Sequence, residues 1–251
     1  MRGNFFGVRT DIQMKPLGDS AILVQFGTEI SPDVHQQVKA FTDFIETDTF
    51  SGFIECVPAF TSVTIFYNPL HVFQMYKKKS KPEVLSPYSI VQSILKEKLK
   101  NLHTSKHSEE RIVDIPVCYG GELGPDLAAV AKHNQLSSAE VIKIHSQAEY
   151  LVYMIGFAPG FPYLGGMSEQ IATPRHSSPR LSIPAGSVGI AGMQTGVYPI
   201  STPGGWQIIG RTPFDLFYPD KNPPTLLRAG DIVRFKPISF EEYKGYKETV
   251  I

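Results

Sequence analysis

Apolar and polar residues alternate along the first part of the chain with two different periods. Residues 19–26, 53–60 and 62–67 form short apolar-rich runs typical of β-strands, and residues 111–118 alternate with a period of two. Between these runs, two segments carry apolar residues three and four positions apart, as on one face of a helix. The resulting order, β-α-β-β-α-β, predicts a ferredoxin-like domain of the split βαβ type.

Both predicted helices begin with a serine followed by a proline. Ser31 precedes Pro32, and Ser86 precedes Pro87. Serine is a favoured N-cap because its hydroxyl accepts a free backbone N–H, and proline fits the first helical position because no N–H is needed there. We therefore predict that the two helices begin at residues 32 and 87.

The most polar segment of the chain, residues 101–110, predicts a linker between two domains. We place the first domain at residues 14–100 and the second at residues 111–251, although the strand at 111–118 could belong to either. The residues before Met14 contain no continuous apolar run and no cleavage signature. We therefore expect no secretory signal there, and we expect the fold to begin near Met14.

The pattern changes in the second domain. Two short helices are predicted at residues 126–133 and 138–146, the second with a capping box formed by Ser137 and Glu140. The pair resembles a DNA-binding helix-turn-helix, but the second helix has a single basic residue, Lys143, which favours a helical hairpin packed on a sheet. After residue 150, strand-like runs alternate with Gly and Pro turns and indicate a closed or sandwiched β-structure.

Charge and cysteine content exclude several classes of protein. The chain balances 24 basic with 24 acidic residues, so it lacks the surplus that attracts nucleic acid or acidic membranes. Cys56 and Cys118 lie far apart without a CxxC motif, which favours free thiols in a reducing cytoplasm over a zinc site or a disulfide. His103 and His107 have no third ligand nearby, so we predict no metal site there. We expect a cytoplasmic protein that binds neither nucleic acid nor membrane.

The best candidate for a binding site lies between residues 150 and 211, where prolines and aromatic residues are set among 11 of the 21 glycines. Such residues fix sharp turns, and aromatic side chains between turns are more typical of a concave loop surface than of an amphipathic face. Arg175 and Arg180 could clasp a carboxylate together, or one could lie on the surface while the other bonds the backbone. Trp206 favours a pocket wall over the core. His145, at a helix end, either faces this cleft or is a hydrogen-bonded core residue.

The same region lacks the groups needed for phosphoryl transfer. It contains no phosphate-binding glycine loop, and Glu169 is its single acidic residue. Asp114, Glu122 and Asp126 could approach from the flank, which the sequence leaves open. We therefore predict an anion-binding or protein-binding cleft and not a complete catalytic site.

Several long motifs resemble one known family. GDSAILVQFG, ECVPAF, GFAPGFPYLGGM, PAGSVGIAGMQTGVYP and TPGGWQIIGRTP are similar to the B subunit of 5-oxoprolinase, also described as allophanate-hydrolase-subunit-1-like. The resemblance extends from about Lys15 to Lys236. It implies that residues 111–251 form a cyclophilin-like β-barrel after the ferredoxin-like βαββαβ domain.

The resemblance also implies a function that the residues alone do not indicate. The B subunit would act with the A and C subunits, of which the latter is KipA-like, in the ATP-dependent opening of 5-oxoproline to L-glutamate. ATP would be bound in the complex with Mg²⁺, which we do not expect this chain to hold alone, and the isolated chain would be inactive. Within the family the sequence most resembles an inhibitor of a sporulation histidine kinase, which implies binding to the kinase dimerisation and phosphotransfer domain. The alternative is a dedicated kinase inhibitor with no catalytic role.

The predicted site residues fall into two groups, and none is assigned a catalytic role. Arg175, Arg180 and Trp206 are indicated both by the residues and by the resemblance. His145 is added from its position before the cleft, and the other residues come from the resemblance alone. The predicted substrate contacts are Arg175, Arg180, His145, Gln194 and Ser187. The predicted cleft and partner surface consists of Phe157, Pro159, Phe161, Tyr163, Tyr198 and Trp206.

Overall fold

The structure, a computed structural model, describes residues 12–76, 86–102 and 111–248. The chain divides into two units, residues 1–108 and residues 109–251. The first unit contains β1 (Gln13–Pro16), β2 (Ala21–Gln25), α1 (Pro32–Thr47), β3 (Phe53–Pro58), β4 (Ser62–Tyr67), α2 (Pro69–Tyr76) and α3 (Pro87–Lys100). The second contains β5 (Ile112–Tyr119), α4 (Leu127–His133), α5 (Ser138–Gln147), β6 (Tyr150–Ile155), β7 (Pro162–Gly165), β8 (Arg180–Ile183), β9 (Ser187–Ala191), β10 (Gln194–Val197), β11 (Thr202–Gly204), β12 (Gln207–Arg211), β13 (Ile232–Pro237) and α6 (Phe240–Glu248).

The first unit is a four-stranded antiparallel sheet, in the order β1-β2-β4-β3, with helices α1 and α3 packed against it. Both helices begin where the serine–proline pairs predict. The Ser31 hydroxyl accepts the Val34 N–H at 3.3 Å, and the Ser86 hydroxyl accepts the Ser89 N–H at 3.2 Å. The apolar faces of helices and sheet share one core, which includes Ile22, Val24, Val38, Phe41, Ile45, Val63, Ile65, Val91 and Leu95.

The element order of this unit differs from the predicted β-α-β-β-α-β. The strand Ile112–Tyr119 pairs within the sheet of the second unit, and the edge of the first sheet is β1, which forms a hairpin with β2. Strand β1 begins at Gln13, one residue before Met14. Periodicity could not indicate β1, since Met14 is its one half-buried apolar side chain.

The second unit is a seven-stranded sheet in the order β10-β9-β12-β5-β13-β6-β7. Its edge strands β7 and β10 lie against each other, so the sheet curls into a nearly closed barrel, and β8 and β11 form a separate two-stranded ribbon. The fold is therefore mixed α/β with a barrel-like second sheet. Strands β5 and β13 are parallel, and the other ladders are antiparallel.

Helices α4 and α5 form the predicted hairpin. They pack on each other and on the sheet, α4 against β12 and α5 against β13. The predicted capping box is present, because the Ser137 hydroxyl accepts the Glu140 N–H while the Glu140 carboxylate accepts the Ser137 N–H. No helix in residues 12–76, 86–102 or 111–248 combines the length and the apolar character needed to cross a bilayer.

A buried carboxylate fastens the parallel pair of strands. Asp231, which is 2% exposed, accepts the Arg111 Nε at 2.8 Å and a second bond from the same guanidinium, and it also accepts the Arg228 N–H at 2.8 Å. Arg111 precedes β5 and Asp231 precedes β13, so this pair sets where the two strands start. Asp114 and Lys236 form a contact of 3.8 Å between the same two strands, with both side chains about half exposed.

Replacing Asp231 and Asp114 separately compares how much a buried and an exposed ion pair contribute to the free energy of unfolding. Asp231→Ala removes the acceptors for a guanidinium and a backbone N–H, so it should lower the free energy of unfolding of the second unit by about 3 kcal/mol. Asp114→Ala should change it by less than about 0.5 kcal/mol. Urea unfolding followed by the fluorescence of Trp206, the single tryptophan, reports on the second unit. Equal effects from the two variants would contradict this account.

Candidate functional site

Five aromatic side chains form a cluster in the second unit. Phe161, just before β7, is its centre, and the other rings pack against it edge to face. Their centroids lie 5.3 Å (Tyr163), 5.7 Å (Phe157), 5.9 Å (Trp206) and 6.1 Å (Tyr198) from that of Phe161. Edge-to-face pairs at these distances are favourable beyond the area they bury. The structure thus brings together five of the six residues predicted for the cleft and partner surface.

Two glycines allow the rings to lie this close to the backbone. A Cβ on Gly196, in β10, would lie 3.1 Å from Trp206 Cζ3 and 3.2 Å from Phe161 Cζ. A Cβ on Gly204 would lie 2.5 Å from the Tyr198 hydroxyl. The glycines of the sequence motifs are therefore required by aromatic packing at these positions.

The cluster runs from buried to exposed. Phe161 and Tyr198 are almost fully buried, Tyr163 and Trp206 are half-buried, and Phe157 is 77% exposed. Pro159, the sixth predicted residue, is exposed on the same loop as Phe157. The rings therefore form a packed floor with one aromatic side chain projecting into solvent.

Phe157 is held in a strained turn. Its φ is 67°, and the Ala158 N–H donates to the Gly156 carbonyl at 2.7 Å, which closes a γ-turn around it. The Phe161 N–H donates to the Ala158 carbonyl, and the Gly156 N–H donates to the Phe161 carbonyl. A positive φ is unfavourable for a bulky residue and persists where surrounding contacts impose it, which occurs most often at functional sites.

The loop at residues 174–180 is tied to the residues that carry Trp206. The His176 N–H donates to the Gly205 carbonyl at 2.7 Å, and the Gln207 side-chain amide donates to the Pro174 carbonyl at 2.9 Å. Gln207 was not predicted from the sequence, where a single glutamine carries no signal of this role.

Asp126 connects both of these segments to the start of α4. It is 6% exposed, and its carboxylate accepts the Ile208 N–H at 2.6 Å and Arg180 Nη2 at 2.7 Å. His176 Nε2 lies 3.3 Å from Asp126 Oδ2, within ion-pair distance but without hydrogen-bond alignment. Burial alone would raise the pKa of this carboxyl, but the hydrogen bonds from Arg180 and Ile208, together with the nearby His176, outweigh burial and lower its pKa. Asp126 is therefore an ionised, buried carboxylate.

The two predicted arginines have different surroundings. Arg180 is bound to Asp126, and its Nη1 also donates to the Trp206 carbonyl at 3.4 Å. Arg175 is exposed, and within the described residues it has neither an acidic partner nor a hydrogen bond. Both guanidiniums lie close enough to Tyr198 to oppose the rise in its pKa that burial causes. The structure therefore has one structural and one free arginine beside the aromatic cluster.

His145 is a core residue. It is completely buried, stacks on Phe235 with centroids 4.6 Å apart, and contacts the hydroxyls of Tyr119 (Nδ1) and Thr195 (Nε2), each at 2.8 Å. Since the Thr195 hydroxyl donates to the Gly189 carbonyl, it accepts from Nε2–H, so Nδ1 accepts the Tyr119 hydroxyl. Burial lowers the pKa of His145 to about 3. We therefore correct its assignment as a substrate contact, because no face of the ring reaches the cleft.

The remaining predicted substrate contacts are Ser187 and Gln194. Ser187 is 2% exposed, and its hydroxyl donates to the Pro184 carbonyl at 2.7 Å, so it is not available to a ligand in this conformation. Gln194 is half-buried at the first residue of β10. Asp114 pairs with Lys236 and Glu122 is exposed, so Asp126 is the acidic residue of the three that reaches the site.

The thiols lack the character of nucleophiles. Burial and the neighbouring Glu46 raise the pKa of Cys56 to about 12, and burial raises the pKa of Cys118. Both cysteines are free. Among the described residues no three His, Cys, Asp or Glu side chains are grouped as a metal site would require.

Comparison with known proteins identifies the family. Residues 12–227 match the model of the carboxyltransferase domain, subdomain C and D, and the chain belongs to this family. The 5-oxoprolinase B subunit of Bacillus subtilis (strain 168) is 59% identical over 236 residues, which cover 94% of this chain and 97% of that protein. The protein of the same name from Haemophilus influenzae is 41% identical over 220 residues, covering 88% and 95%. The chain is therefore a member of the 5-oxoprolinase B-subunit family, which confirms the resemblance of the motifs.

Solved structures share the fold. A conserved uncharacterized protein from Pyrococcus horikoshii is 45% identical, with a TM-score of 0.53 over 92% of this chain and 100% of that one. The Kluyveromyces lactis urea carboxylase is 19% identical, with a TM-score of 0.69 over 94% of this chain and 22% of that one. At 19% identity, the similarity to the urea carboxylase shows a shared fold and nothing more.

The strain at Phe157 can be measured by comparing two small side chains. Alanine keeps the Cβ that disfavours positive φ, whereas glycine does not. We expect Phe157→Gly to be more stable than Phe157→Ala by about 1 kcal/mol, the reverse of the usual order, in urea unfolding followed by Trp206 fluorescence. An alanine variant as stable as the glycine variant would show that the turn stores no strain.

His145 is expected to make the second unit sensitive to acid. The unfolded chain takes up a proton at this residue near pH 6.5, whereas the folded chain does so only near pH 3. Relative to His145→Gln, the wild-type stability should thus fall by up to about 1.4 kcal/mol per pH unit between pH 6.5 and 3, and be constant above pH 6.5. Urea unfolding of both proteins at pH 7, 5.5 and 4.5 measures this difference. A difference that does not change with pH would contradict the burial argument.

Proposed function

We propose that this chain is the component of an ATP-dependent 5-oxoprolinase that binds and orients the lactam acid, working with the A and C subunits. The observation that carries the proposal is the exposed guanidinium of Arg175 beside the aromatic cluster, which has no acidic partner among the residues that the structure describes. 5-Oxoproline is a five-membered lactam with one carboxylate, so it offers a ring to the aromatic floor and one anion to an arginine. The names of the curated relatives support the same reaction.

Within this proposal the two arginines have separate roles. Arg175 holds the substrate carboxylate, and Arg180 keeps the loop in place through Asp126. Trp206, which is half-buried, supplies the surface against which the ring lies. The contribution of the chain is binding and orientation, which hold the lactam where another member of the complex acts on it.

The described residues of this chain do not fit Mg²⁺–ATP. The sequence has no phosphate-binding glycine loop, and the described residues supply no group of three possible metal ligands. Asp126, the buried acid of the site, already has its oxygens engaged by Arg180 and Ile208. We therefore assign ATP and its Mg²⁺ to the other members of the complex, and we expect the isolated chain to be inactive.

A second function, inhibition of a sensor histidine kinase, is favoured by the exposure of Phe157. An aromatic side chain that is 77% exposed on a rigid turn is suited to anchor a protein interface. Here Phe157 would insert into the dimerisation and phosphotransfer domain of the kinase and block autophosphorylation. The two functions are compatible because the projecting Phe157 and the free Arg175 are different parts of one surface.

The direct test is ATP-dependent release of L-glutamate from 5-oxoproline, by the purified chain alone and then with the A and C subunits. Release in the mixture alone supports the proposal. A mixture that assembles and remains inactive overturns it and leaves dedicated kinase inhibition as the function.

Replacing Arg175 is expected to weaken substrate binding, whereas replacing Arg180 is expected to lower the stability of the fold. Arg175→Ala should raise the KM for 5-oxoproline by about 10- to 100-fold without changing thermal stability, since it removes a charge-assisted hydrogen bond. Arg175→Lys, the matched control, should retain part of the affinity because it keeps the charge.

Arg180→Ala should lower the free energy of unfolding by about 3 kcal/mol, because Asp126 is left without its cation. Kinase binding should survive Arg175→Ala if Phe157 is the anchor. A normal KM for Arg175→Ala would refute the assigned clamp.

A further inference from the structure

The two arginines beside the aromatic cluster differ in whether an acidic residue compensates their charge. Arg175 and Arg180 both lie beside the residues that carry Trp206, since a Cβ on Gly205 would lie 3.8 Å from the Arg175 Cβ and Arg180 donates to the Trp206 carbonyl at 3.4 Å. Arg180 alone has a counter-ion, Asp126, at 2.7 Å among the described residues. The Arg180 side chain is 34% exposed, so its guanidinium can be reached from solvent while its charge is already compensated.

The position of Asp126 is tightly constrained. Its own N–H donates to the Ile208 carbonyl at 2.9 Å, and its carboxylate accepts the Ile208 N–H, so the residue is bonded to β12 from both sides. With Arg180 bound as well and His176 at 3.3 Å, the carboxylate cannot turn away from Arg180 without losing buried hydrogen bonds. The compensation of Arg180 is therefore a permanent feature of the fold.

We propose that Asp126 determines the charge specificity of the cleft: by compensating Arg180 it leaves one free cation, Arg175, so the site selects ligands with one carboxylate over ligands with two. This inference rests on the proposed function and deepens it. 5-Oxoproline carries one carboxylate, whereas L-glutamate, the product of ring opening, carries two. Because Asp126 neutralises Arg180, the second carboxylate that ring opening creates in L-glutamate has no cationic partner. The cleft therefore binds the substrate more tightly than the product.

The test uses two ring acids that differ by one carboxylate, cyclopentanecarboxylate and cis-cyclopentane-1,3-dicarboxylate. Their binding to the full-length chain is measured by the fluorescence of Trp206, which is half-buried, accepts a hydrogen bond from Arg180 at its carbonyl and is the single tryptophan. Wild type should bind the monocarboxylate more tightly. Asp126→Asn removes the counter-charge and frees Arg180, so it should shift the affinity ratio toward the dicarboxylate by about fivefold, the size of an exposed charge pair.

Two further variants keep the inference testable if Asp126→Asn is unstable. Arg180→Gln leaves the negative charge of Asp126 uncompensated, so it should shift the ratio in the opposite direction. The double variant Asp126→Asn with Arg180→Gln removes both charges and should restore the wild-type ratio. A melting curve for each variant verifies that it is folded.

The outcomes separate this inference from the proposed function. A ratio that is unchanged in folded Asp126→Asn or Arg180→Gln overturns the role of Asp126, as does wild-type chain that binds neither acid. Loss of glutamate release from the wild-type complex overturns the enzyme function alone, because Trp206 fluorescence measures carboxylate binding without any turnover.

Discussion

The buried carboxylate of Asp126 imposes the constraint on which the site depends. An ionised group removed from water needs donors around it, and Asp126 draws these from the backbone of β12 and from the loop before β8. Satisfying this single group therefore fixes two loops relative to the start of α4. Arg180, which is bound to Asp126, also donates to the Trp206 carbonyl, and Ile208 lies two residues further along, so the position of Trp206 is fixed by the same interactions. The hydrogen bonds that stabilise the buried charge of Asp126 therefore also fix the position of an aromatic ring of the cluster.

In the second unit the strands of the barrel form the packed core of the site, and the loops carry its exposed side chains. The strands supply a close-packed core, and Gly196 allows the rings of Phe161 and Trp206 to lie directly on one of them. Loops carry two exposed groups beside the cluster, the strained Phe157 and Arg175, which has no acidic partner among the described residues. An aromatic anchor and a free cation on one rigid surface suit both a small carboxylate and a protein. The two proposed functions would therefore use one surface.

Parts of this arrangement could be predicted from local sequence, and parts could not. The starts of α1, α3 and α5 were predicted because a cap needs a residue and a backbone N–H a few positions apart. Strand β1 was missed and the partnership of β5 was left open, because ladder pairing depends on distant residues. The role of His145 could not be decided, since its two hydrogen-bond partners lie 26 and 50 positions away. Asp126 and Arg180 are 54 positions apart, and no periodicity links them.

The sequence by itself determined the local elements, the balance of charge, the family, and the concentration of aromatic residues and arginines in one set of loops. These follow from short-range sterics, capping and composition, which act between residues near one another in the chain. Tertiary structure alone decided which arginine is free, which histidine is buried and which acid is ionised in the site. Those properties depend on burial and on counter-charges brought together from distant segments, and the free energy of a charge is set by the groups around it in space.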